Sequence, residues 1–273
     1  MTVRIIDSQD RSFLPKIDPL WRYRELIWLF AKRHVTGRYR QMALGFAWAV
    51  LEPLFQLALM SVVFGMLLRV SSNGYPYAIY VFAALIPWQH FSRTTLAVAG
   101  SLQDNLQLIS KVYFPRLILP IAAVLRELFD TSLQFFILLI LAMGFGYYPS
   151  FKLLILGPLV LIAVSLAAMG LGLLVAAFIV RYRDIRPALG IVLQAGLYLS
   201  PVLYAASVVP DQIFLYYQIN PMYWALELFR WLLLDQPLAL SAALPASIVL
   251  VMTMLATALV AFTRYERETV DVL

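Results

Sequence analysis

The chain has 273 residues, of which 62% are hydrophobic and 13% are charged, and its mean hydropathy is +0.82. Globular domains have about a quarter charged residues, so a soluble protein of this length could not cover its surface with these side chains. The absence of cysteine excludes disulfides and thiolate metal sites, and two widely separated histidines argue against a histidine metal centre. The sequence therefore predicts a protein whose main solvent is the lipid bilayer.

The N-terminal segment, residues 1–43, is basic, because nine of the 21 lysines and arginines lie within the first 40 residues. No apolar stretch with a small-residue cleavage site is present, so we predict a cytoplasmic segment and no signal peptide. Asp18 can cap and Pro19 can start an amphipathic helix over Leu20–His34. Such a helix is typical of a membrane surface, and the position of the charge gives no reason to expect a nucleic acid partner.

Six apolar stretches are long enough, at roughly 20 residues each, to cross a membrane. They are Leu44–Leu68, Ala78–Gly100, Arg116–Phe145, Lys152–Val180, Ala188–Ala206 and Leu238–Phe262. Turn-forming sequences such as SSNGYP and GYYPS separate them. We therefore predict an all-α membrane protein with six transmembrane helices, a transmembrane domain over residues 44–262, and a cytoplasmic tail at residues 263–273.

The lysines and arginines outside the spans set the orientation. Most lie on one side, in the N-terminal segment, the second and fourth loops and the tail, whereas the other side holds Arg69, Lys152 and Arg230. Positively charged loops stay in the cytoplasm. Both termini are therefore predicted to be cytoplasmic.

The second loop contains a predicted amphipathic helix, Gln103–Tyr113, which Pro115 ends. Leu102, Leu106 and Ile109 form an apolar stripe on it, and polar residues face away. Because this helix is too polar for lipid and too apolar for water alone, we interpret it as a docking surface for another protein. The alternative is a loop helix that rests on lipid headgroups.

Residues 207–237 do not fit a spanning pattern. Asn220 is a good N-cap and Pro221 suits the first helical position, which predicts a helix about 21 Å long that is too short to cross. Glu227 and Arg230 lie one turn apart on this helix. We predict two short re-entrant helices in the outer leaflet, buried against protein or lining water.

Five charged residues lie at comparable depth inside the predicted spans: Glu52, Arg93, Arg126, Glu127 and Asp130. Arg126 and Asp130 share a helix face and can pair, whereas Glu127 points about 100° away. An isolated charge would cost about 2.5–3.5 kcal/mol at the membrane centre, so this network must face protein or water. It either holds helices in register or borders a polar conduit, and its arginines favour fixed ionisation over a proton relay.

Aromatic residues make up 14% of the chain, and most are expected to form interfacial belts. A smaller set could instead stack on the C–H faces of sugars: Trp48, Phe55, Trp88, Tyr198 and Tyr204. For any individual residue the belt remains the favoured interpretation.

The chain has no G-x-x-x-x-G-K-[ST], H-E-x-x-H or G-x-S-x-G motif. It therefore cannot bind ATP in the manner of a P-loop, and no catalytic set is visible. We predict a protein that is not an enzyme, with no catalytic residues, no metal site and no cofactor of its own.

Several stretches resemble, in order, the ABC-2-type permeases that export polysaccharides, which are the membrane subunits of O-antigen, capsule and teichoic acid ABC transporters. They are RYRQMALGFAWAVLEPLFQL, NLQLISKVYFPRLILP, RYRDIRPAL, SPVLYAASVVP and INPMYWALELFRWLL. The likeness extends from about Leu20 to Phe262. It implies a homodimer in the cytoplasmic membrane of a bacterium, with two copies of a separate ATPase that binds ATP and Mg and drives export of a lipid-linked polysaccharide.

The resemblance also implies roles for particular segments: an interface helix at Leu20–His34, a coupling helix at Gln103–Tyr113 and external gate helices within Asp211–Asp235. The implied residues that couple to the ATPase are Gln103, Asp104, Asn105, Gln107, Leu108 and Lys111. The implied residues of the external gate are Tyr216, Tyr217, Asn220, Trp224, Glu227 and Arg230.

The same resemblance implies that a glycan lipid with a pyrophosphate headgroup approaches the protein at the inner leaflet. Residues that could meet this anion there are Lys32, Arg33, Arg38, Arg40, Leu44 and Gly45. Positive-inside topology explains the basic residues among them equally well. Three alternatives remain for the whole chain: an ABC-2 exporter of a smaller lipid or drug, an ion-coupled secondary carrier, and a scaffolding protein, against which the intramembrane charges argue.

Overall fold

A computed structural model describes residues 21–40, 47–112 and 114–270, without the side chains of residues 34, 35, 38–40, 49 and 265–270. Within these ranges all regular structure is helical, as the sequence predicts. The helices are α1 Arg24–Arg40, α2 Trp48–Met60, α3 Tyr77–Gly100, α4 Leu106–Ile109, α5 Ile118–Gly144, α6 Phe151–Arg181, α7 Ile185–Leu199, α8 Asp211–Ile219, α9 Pro221–Leu234 and α10 Ala243–Val270. A π-helical segment, Ser61–Leu67, continues α2, and 3₁₀ turns form at Gln103–Asn105 and Ala206–Val208.

Among the residues that the structure describes, three stretches are long and apolar enough to cross a membrane: Val50–Leu67 along α2, Phe151–Arg181 in α6 and Ala243–Arg264 in α10. Helices α3 and α5 have 24 and 27 residues, but they carry polar and charged side chains. Protein contacts accommodate these side chains, because α3 packs between α5, α6 and α9 and is buried continuously from Ile79 to His90. The polar helix α3 is therefore the centre of the bundle.

The fifth predicted span is shorter in the structure than in the prediction. Instead of Ala188–Ala206, the helix α7 ends at Leu199 and has 15 residues, which is about 22 Å. Ser200 has an extended backbone because the residue before a proline, here Pro201, avoids the helical region. On its own, α7 is too short to cross the hydrocarbon core of a bilayer.

Helix α1 continues beyond its predicted end, to Arg40, and lies against the bundle. Phe30 is buried in an apolar cluster at the start of α5, and its ring lies 5.9 Å from that of Phe114, centroid to centroid. Trp21 and Trp28 are exposed. One part of the α1 surface is therefore covered by protein, and the exposed Trp28 of α1 and Trp21 just before it are suited to lipid headgroups.

The predicted helix Gln103–Tyr113 is also shorter in the structure. A 3₁₀ turn, Gln103–Asn105, is followed by the single turn of α4, and Tyr113 lies outside the described residues. Ser110 follows α4 directly, and its hydroxyl donates to the carbonyl of Gln107. This local bond competes with continuation of the helix.

The apolar stripe predicted for this loop is divided between two faces. A 3₁₀ turn advances about 120° per residue instead of the 100° of an α-helix, so residues that would align on one helix separate. Leu102 is buried and Ile109 packs partly against the bundle, whereas Leu106 is exposed. We call residues 101–112 the α3–α5 segment.

Candidate functional site

A buried polar layer joins the three central helices. His90 on α3 is fully buried, and its ring nitrogens lie 2.8 Å from Thr131 Oγ1 on α5 and 2.7 Å from Ser165 Oγ on α6. Both ring nitrogens therefore have partners, as buried polar groups require. The sequence interpretation considered the histidines only as metal ligands and missed this role. The available signal was a histidine beside Gln89 in an otherwise apolar stretch.

The edge of this layer is an ion pair between α2 and α3. Arg93 donates to Glu52 Oε1 at 2.8 Å, and the two side chains are 26% and 50% exposed. Gln89 donates to Gln56 one helical turn further on. Only 11% of the Val50–Leu67 stretch is buried. Polar contacts thus attach α2 to α3, while most of the α2 surface is uncovered in a single chain.

On α5, the remaining predicted charges form a second group. Both Nε and a terminal nitrogen of Arg126 donate to Glu127 Oε1, at 2.9 and 2.6 Å. Helical spacing predicted Asp130 as the partner of Arg126 and placed Glu127 on another face. The long arginine side chain thus contacts Glu127, its neighbour in the sequence, although the two residues point to different faces of the helix. Glu127 and Asp130 are both buried.

The third polar group is centred on Arg230, which has no exposed surface. It donates to Glu227 Oε1 at 2.8 Å and to the carbonyl of Val202 at 2.9 Å, and its guanidinium lies 3.9 Å from the ring centroid of Tyr80. Glu227 also accepts from Gln236 Nε2 at 2.9 Å. Arg230 therefore links α9 to α3 and to the loop that follows α7.

The region before the last helix contains two short helices, α8 and α9. The side chain of Asn220 accepts from the backbone N–H of Met222 at 3.0 Å, and Pro221 is the first residue of α9. The predicted start of this helix is confirmed. A proline and an N-cap together define the start because the proline has no N–H to satisfy and the asparagine satisfies one of the others.

The predicted gate residues on these helices differ in exposure. Trp224 is buried, and its Nε1 donates to a backbone carbonyl of α8 at 2.7 Å. The hydroxyls of Tyr217 and Tyr204 lie 3.2 Å apart, whereas Tyr216 is exposed. The side chains of α8 and α9 thus attach both helices to the bundle and leave Tyr216 at the surface.

The aromatic residues predicted to stack on sugars also separate into two groups. Phe55, Trp48 and Tyr198 are exposed. Trp88 is buried, and its ring lies 5.8 Å from that of Phe91, centroid to centroid. In this structure the Trp88 side chain therefore packs inside the protein.

The α3–α5 segment presents a mixed surface. Of the predicted coupling residues, Asp104, Gln107 and Lys111 are exposed, whereas Gln103, Asn105 and Leu108 are half-buried. Arg186 of α7 holds Asp104 through two hydrogen bonds of 2.6 and 3.1 Å. The exposed apolar side chains of the segment are Leu106 and Val112. Neither was among the predicted coupling residues, although Leu106 belonged to the predicted apolar stripe.

The predicted residues for headgroup binding are only partly described. Lys32 and Arg33 are exposed on α1. Arg38 and Arg40 belong to α1, but their side chains lie outside the described part of the structure. Leu44 and Gly45 lie outside the described residues altogether.

A helical bundle with apolar spans and charged side chains among its long helices is the architecture of an integral membrane protein. The chain belongs to the ABC-2 type transporter family, whose sequence profile matches residues 25–234. This is a family of transporter permeases and not of enzymes.

Within this family the chain is similar to the O-antigen export system permease protein RfbA of Myxococcus xanthus, at 29% identity over 74% of this chain and 78% of the relative. It is 23% identical to an RfbA protein of Klebsiella pneumoniae, over 72% of this chain and 76% of the relative. It is 25% identical to the polysialic acid transport protein KpsM of Escherichia coli, over 72% of this chain and 77% of the relative. The family assignment agrees with the resemblance found in the sequence motifs.

Proposed function

We propose that this chain is the membrane subunit of an ABC transporter that exports a lipid-linked polysaccharide across the cytoplasmic membrane of a bacterium. Two copies would form the passage, and two copies of a separate ATPase would bind ATP and Mg and supply the energy. The names of the relatives, which refer to O-antigen export and polysialic acid transport, support a polysaccharide cargo.

The observation that carries this proposal is the exposed ion pair Glu52–Arg93. Both residues belong to helices that we assign as the first and second of six membrane spans. Charged side chains are costly in lipid and almost always face protein or water, and this pair is half covered by its own chain. A water-filled passage completed by a second copy gives this pair a polar surrounding and uses the otherwise uncovered surface of α2.

Aromatic side chains on the same helix support a sugar cargo. Trp48, Glu52 and Phe55 follow a spacing of four and three residues, so they lie on one face of α2. Flat rings can stack on the C–H faces of successive sugars without holding any one hydroxyl. Tyr198, exposed on α7, can contribute in the same way. A polymer could therefore slide past these residues.

Energy would reach the passage from the cytoplasmic side, through the α3–α5 segment. Two exposed apolar side chains, Leu106 and Val112, lie in this segment, and the exposed Lys111 lies between them in the sequence. This mixture suits a protein partner better than lipid or water alone. On the same side, Lys32 and Arg33 of α1 can meet the phosphates of the lipid carrier, together with Arg38 and Arg40. This arrangement requires cytoplasmic termini, as the distribution of lysine and arginine predicts.

The outer end of the passage would be bounded by α8 and α9. With α7 and its following loop counted as the fifth span, these short helices must return to the outer surface, so that α10 is the sixth span and ends in the cytoplasmic tail. In this assignment residues 1–43 are the cytoplasmic segment and residues 44–262 the transmembrane domain. Trp224 and Arg230 are buried in the single chain, which supports a closed conformation of the gate.

The proposal is tested by co-reconstituting the permease with its ATPase and following a lipid-linked glycan extracted from the membranes of the source cells. We expect this glycan to stimulate ATP hydrolysis, and to become protected from added glycosidase inside inverted vesicles when ATP is present. The control replaces ATP with a non-hydrolysable analogue. Stimulation by a small lipid or drug but not by the glycan would favour the smaller cargo. Glycan transport that is driven by a proton gradient and does not need the ATPase would contradict the proposal.

A further inference from the structure

One bidentate ion pair joins two connecting segments that lie far apart in the sequence. Near the start of α7, Arg186 donates from one terminal nitrogen to Asp104 Oδ1 at 2.6 Å and from the other to Oδ2 at 3.1 Å. Asp104 belongs to the 3₁₀ turn of the α3–α5 segment. A guanidinium and a carboxylate paired in this way fix their mutual orientation as well as their distance. The pair is therefore a directional link between this segment and α7.

Gly100, the last residue of α3, provides the space for this link. A Cβ at position 100 would lie 2.8 Å from both Cζ and a terminal nitrogen of Arg186. Any larger residue would displace the guanidinium, although the flexible arginine could move without disturbing the backbone. The position of the Arg186 guanidinium thus depends both on the carboxylate of Asp104 and on the absence of a side chain at Gly100.

An apolar cluster continues the link into the bundle. Ala99 of α3, Ile179 of α6 and two leucines of α7, Leu189 and Leu193, are buried together. On another face, α7 exposes Ile191 and other apolar side chains. The cytoplasmic half of α7 is thus attached to the same helix ends that carry the α3–α5 segment, while its outer face is uncovered.

Stability does not explain the ion pair. The side chains of Arg186 and Asp104 are 39% and 45% exposed. Water screens a pair with this exposure, so it contributes little to the free energy of folding. Its bidentate geometry is better suited to fixing the relative orientation of the two elements that it joins.

We infer that Asp104 and Arg186 are positioning residues that make α7 move together with the α3–α5 segment. This inference rests on the proposed function, because it takes the segment to be the place where the ATPase acts. A displacement of the segment is carried through the carboxylate and guanidinium to the start of α7. Tyr198, at the opposite end of α7, then changes its position relative to α2, which links ATP hydrolysis to the width of the passage.

The test uses the complete complex of permease and ATPase, with Arg186→Gln and Gly100→Ala as the principal variants. The first removes the guanidinium, and the second displaces it without changing any charge. We expect each variant to keep co-purification of the ATPase and its ATP hydrolysis within twofold of wild type. The amount of extracted lipid-linked glycan translocated per ATP hydrolysed should fall at least fivefold. Asp184→Asn, an exposed acid two residues before Arg186, is the matched control and should leave this ratio unchanged.

A covalent replacement of the link distinguishes positioning from a merely structural role. Because the chain has no cysteine, the double variant Asp104→Cys with Arg186→Cys can be joined by a short bifunctional thiol reagent. We expect the unjoined double variant to show the low ratio and the cross-linked protein to recover at least half of the wild-type ratio.

Unchanged translocation per ATP in both Arg186→Gln and Gly100→Ala would overturn the inference, as would a cross-linked protein that stays at the low ratio. A proportional loss of ATPase binding, hydrolysis and translocation would also overturn it, because it would show a docking or folding role. If wild-type complex itself shows no ATP-dependent translocation, the proposed function fails first, and the two failures are thereby separated.

Discussion

At the scale of single residues, Arg230 is the clearest case of a charge whose role depends on contacts that are distant in the sequence. The Glu227 partner lies one helical turn away and was predictable, but Tyr80 is 150 positions away and the carbonyl of Val202 is 28 positions away. Complete burial of the guanidinium follows from these distant contacts. A sequence pattern could identify the pair but could not show that it is inaccessible.

We expect Arg230→Ala to lower the free energy of unfolding by about 3–5 kcal/mol, because it leaves the mostly buried carboxylate of Glu227 without its charged partner. The measurement is thermal unfolding of the purified permease in detergent. A double variant, Glu227→Gln with Arg230→Met, should be more stable than Arg230→Ala alone, since it removes both charges. The control is Arg183→Ala, which removes an exposed arginine and should change the unfolding temperature little. Equal effects of Arg183→Ala and Arg230→Ala would contradict this interpretation.

His90 shows the same limit of sequence reasoning in a different form. Its partners, Thr131 and Ser165, lie 41 and 75 positions away and are ordinary hydroxyl residues in apolar stretches. Nothing in their local pattern marks them as partners of a histidine. The five charged residues inside the predicted spans could, in contrast, be selected directly from the sequence, because charged side chains in apolar stretches are rare. They are Glu52, Arg93, Arg126, Glu127 and Asp130.

At the scale of elements, the long helices were predicted closely and the short ones less well. A stretch such as Phe151–Arg181 is apolar throughout, so its existence and length follow from composition alone. The α3–α5 segment has only a few residues per face, and a single 3₁₀ turn was enough to separate the exposed Leu106 from the buried Leu102, which the prediction had placed on one stripe. The end of α7 was misplaced because an apolar stretch continues beyond the proline that ends the helix.

We expect Leu106→Glu to abolish binding of the ATPase to the permease while leaving the permease folded. The exposed leucine offers apolar area to a partner, and a carboxylate at the same position would have to be dehydrated on binding. Co-purification from detergent and binding of added ATPase to inverted membrane vesicles are the measurements. Leu240→Glu, which also replaces an exposed leucine, is the control and should retain binding.

Retained binding in Leu106→Glu would show that the ATPase docks elsewhere. Binding to right-side-out vesicles instead of inverted ones would show that the α3–α5 segment lies outside the cell. Either result would contradict the proposed route of energy into the permease.

At the scale of the whole molecule, the distribution of exposed residues indicates which surfaces meet lipid and which meet protein or water. On α5, Phe136 and Ile140 are exposed without any charge one turn away, as expected of a surface that faces lipid. On α2, Phe55 is exposed three residues after the charged Glu52. Phe55 and Ile140 are about equally exposed in the single chain, but Phe55 is predicted to face water or protein and Ile140 to face lipid.

We expect Phe55→Cys to react at least tenfold faster than Ile140→Cys with a cationic, water-soluble thiol reagent. Phe55 and Ile140 are 73% and 71% exposed in the single chain, so they form a matched pair. The cysteine thiolate is the nucleophile that attacks the reagent, and it forms in water and not in hydrocarbon. The chain has no other cysteine to compete. Reaction rates in proteoliposomes, followed by mass shift, are the measurement. Equally slow reactions would place the Phe55 face of α2 in lipid, and the passage between two copies would then have to be formed by other helices.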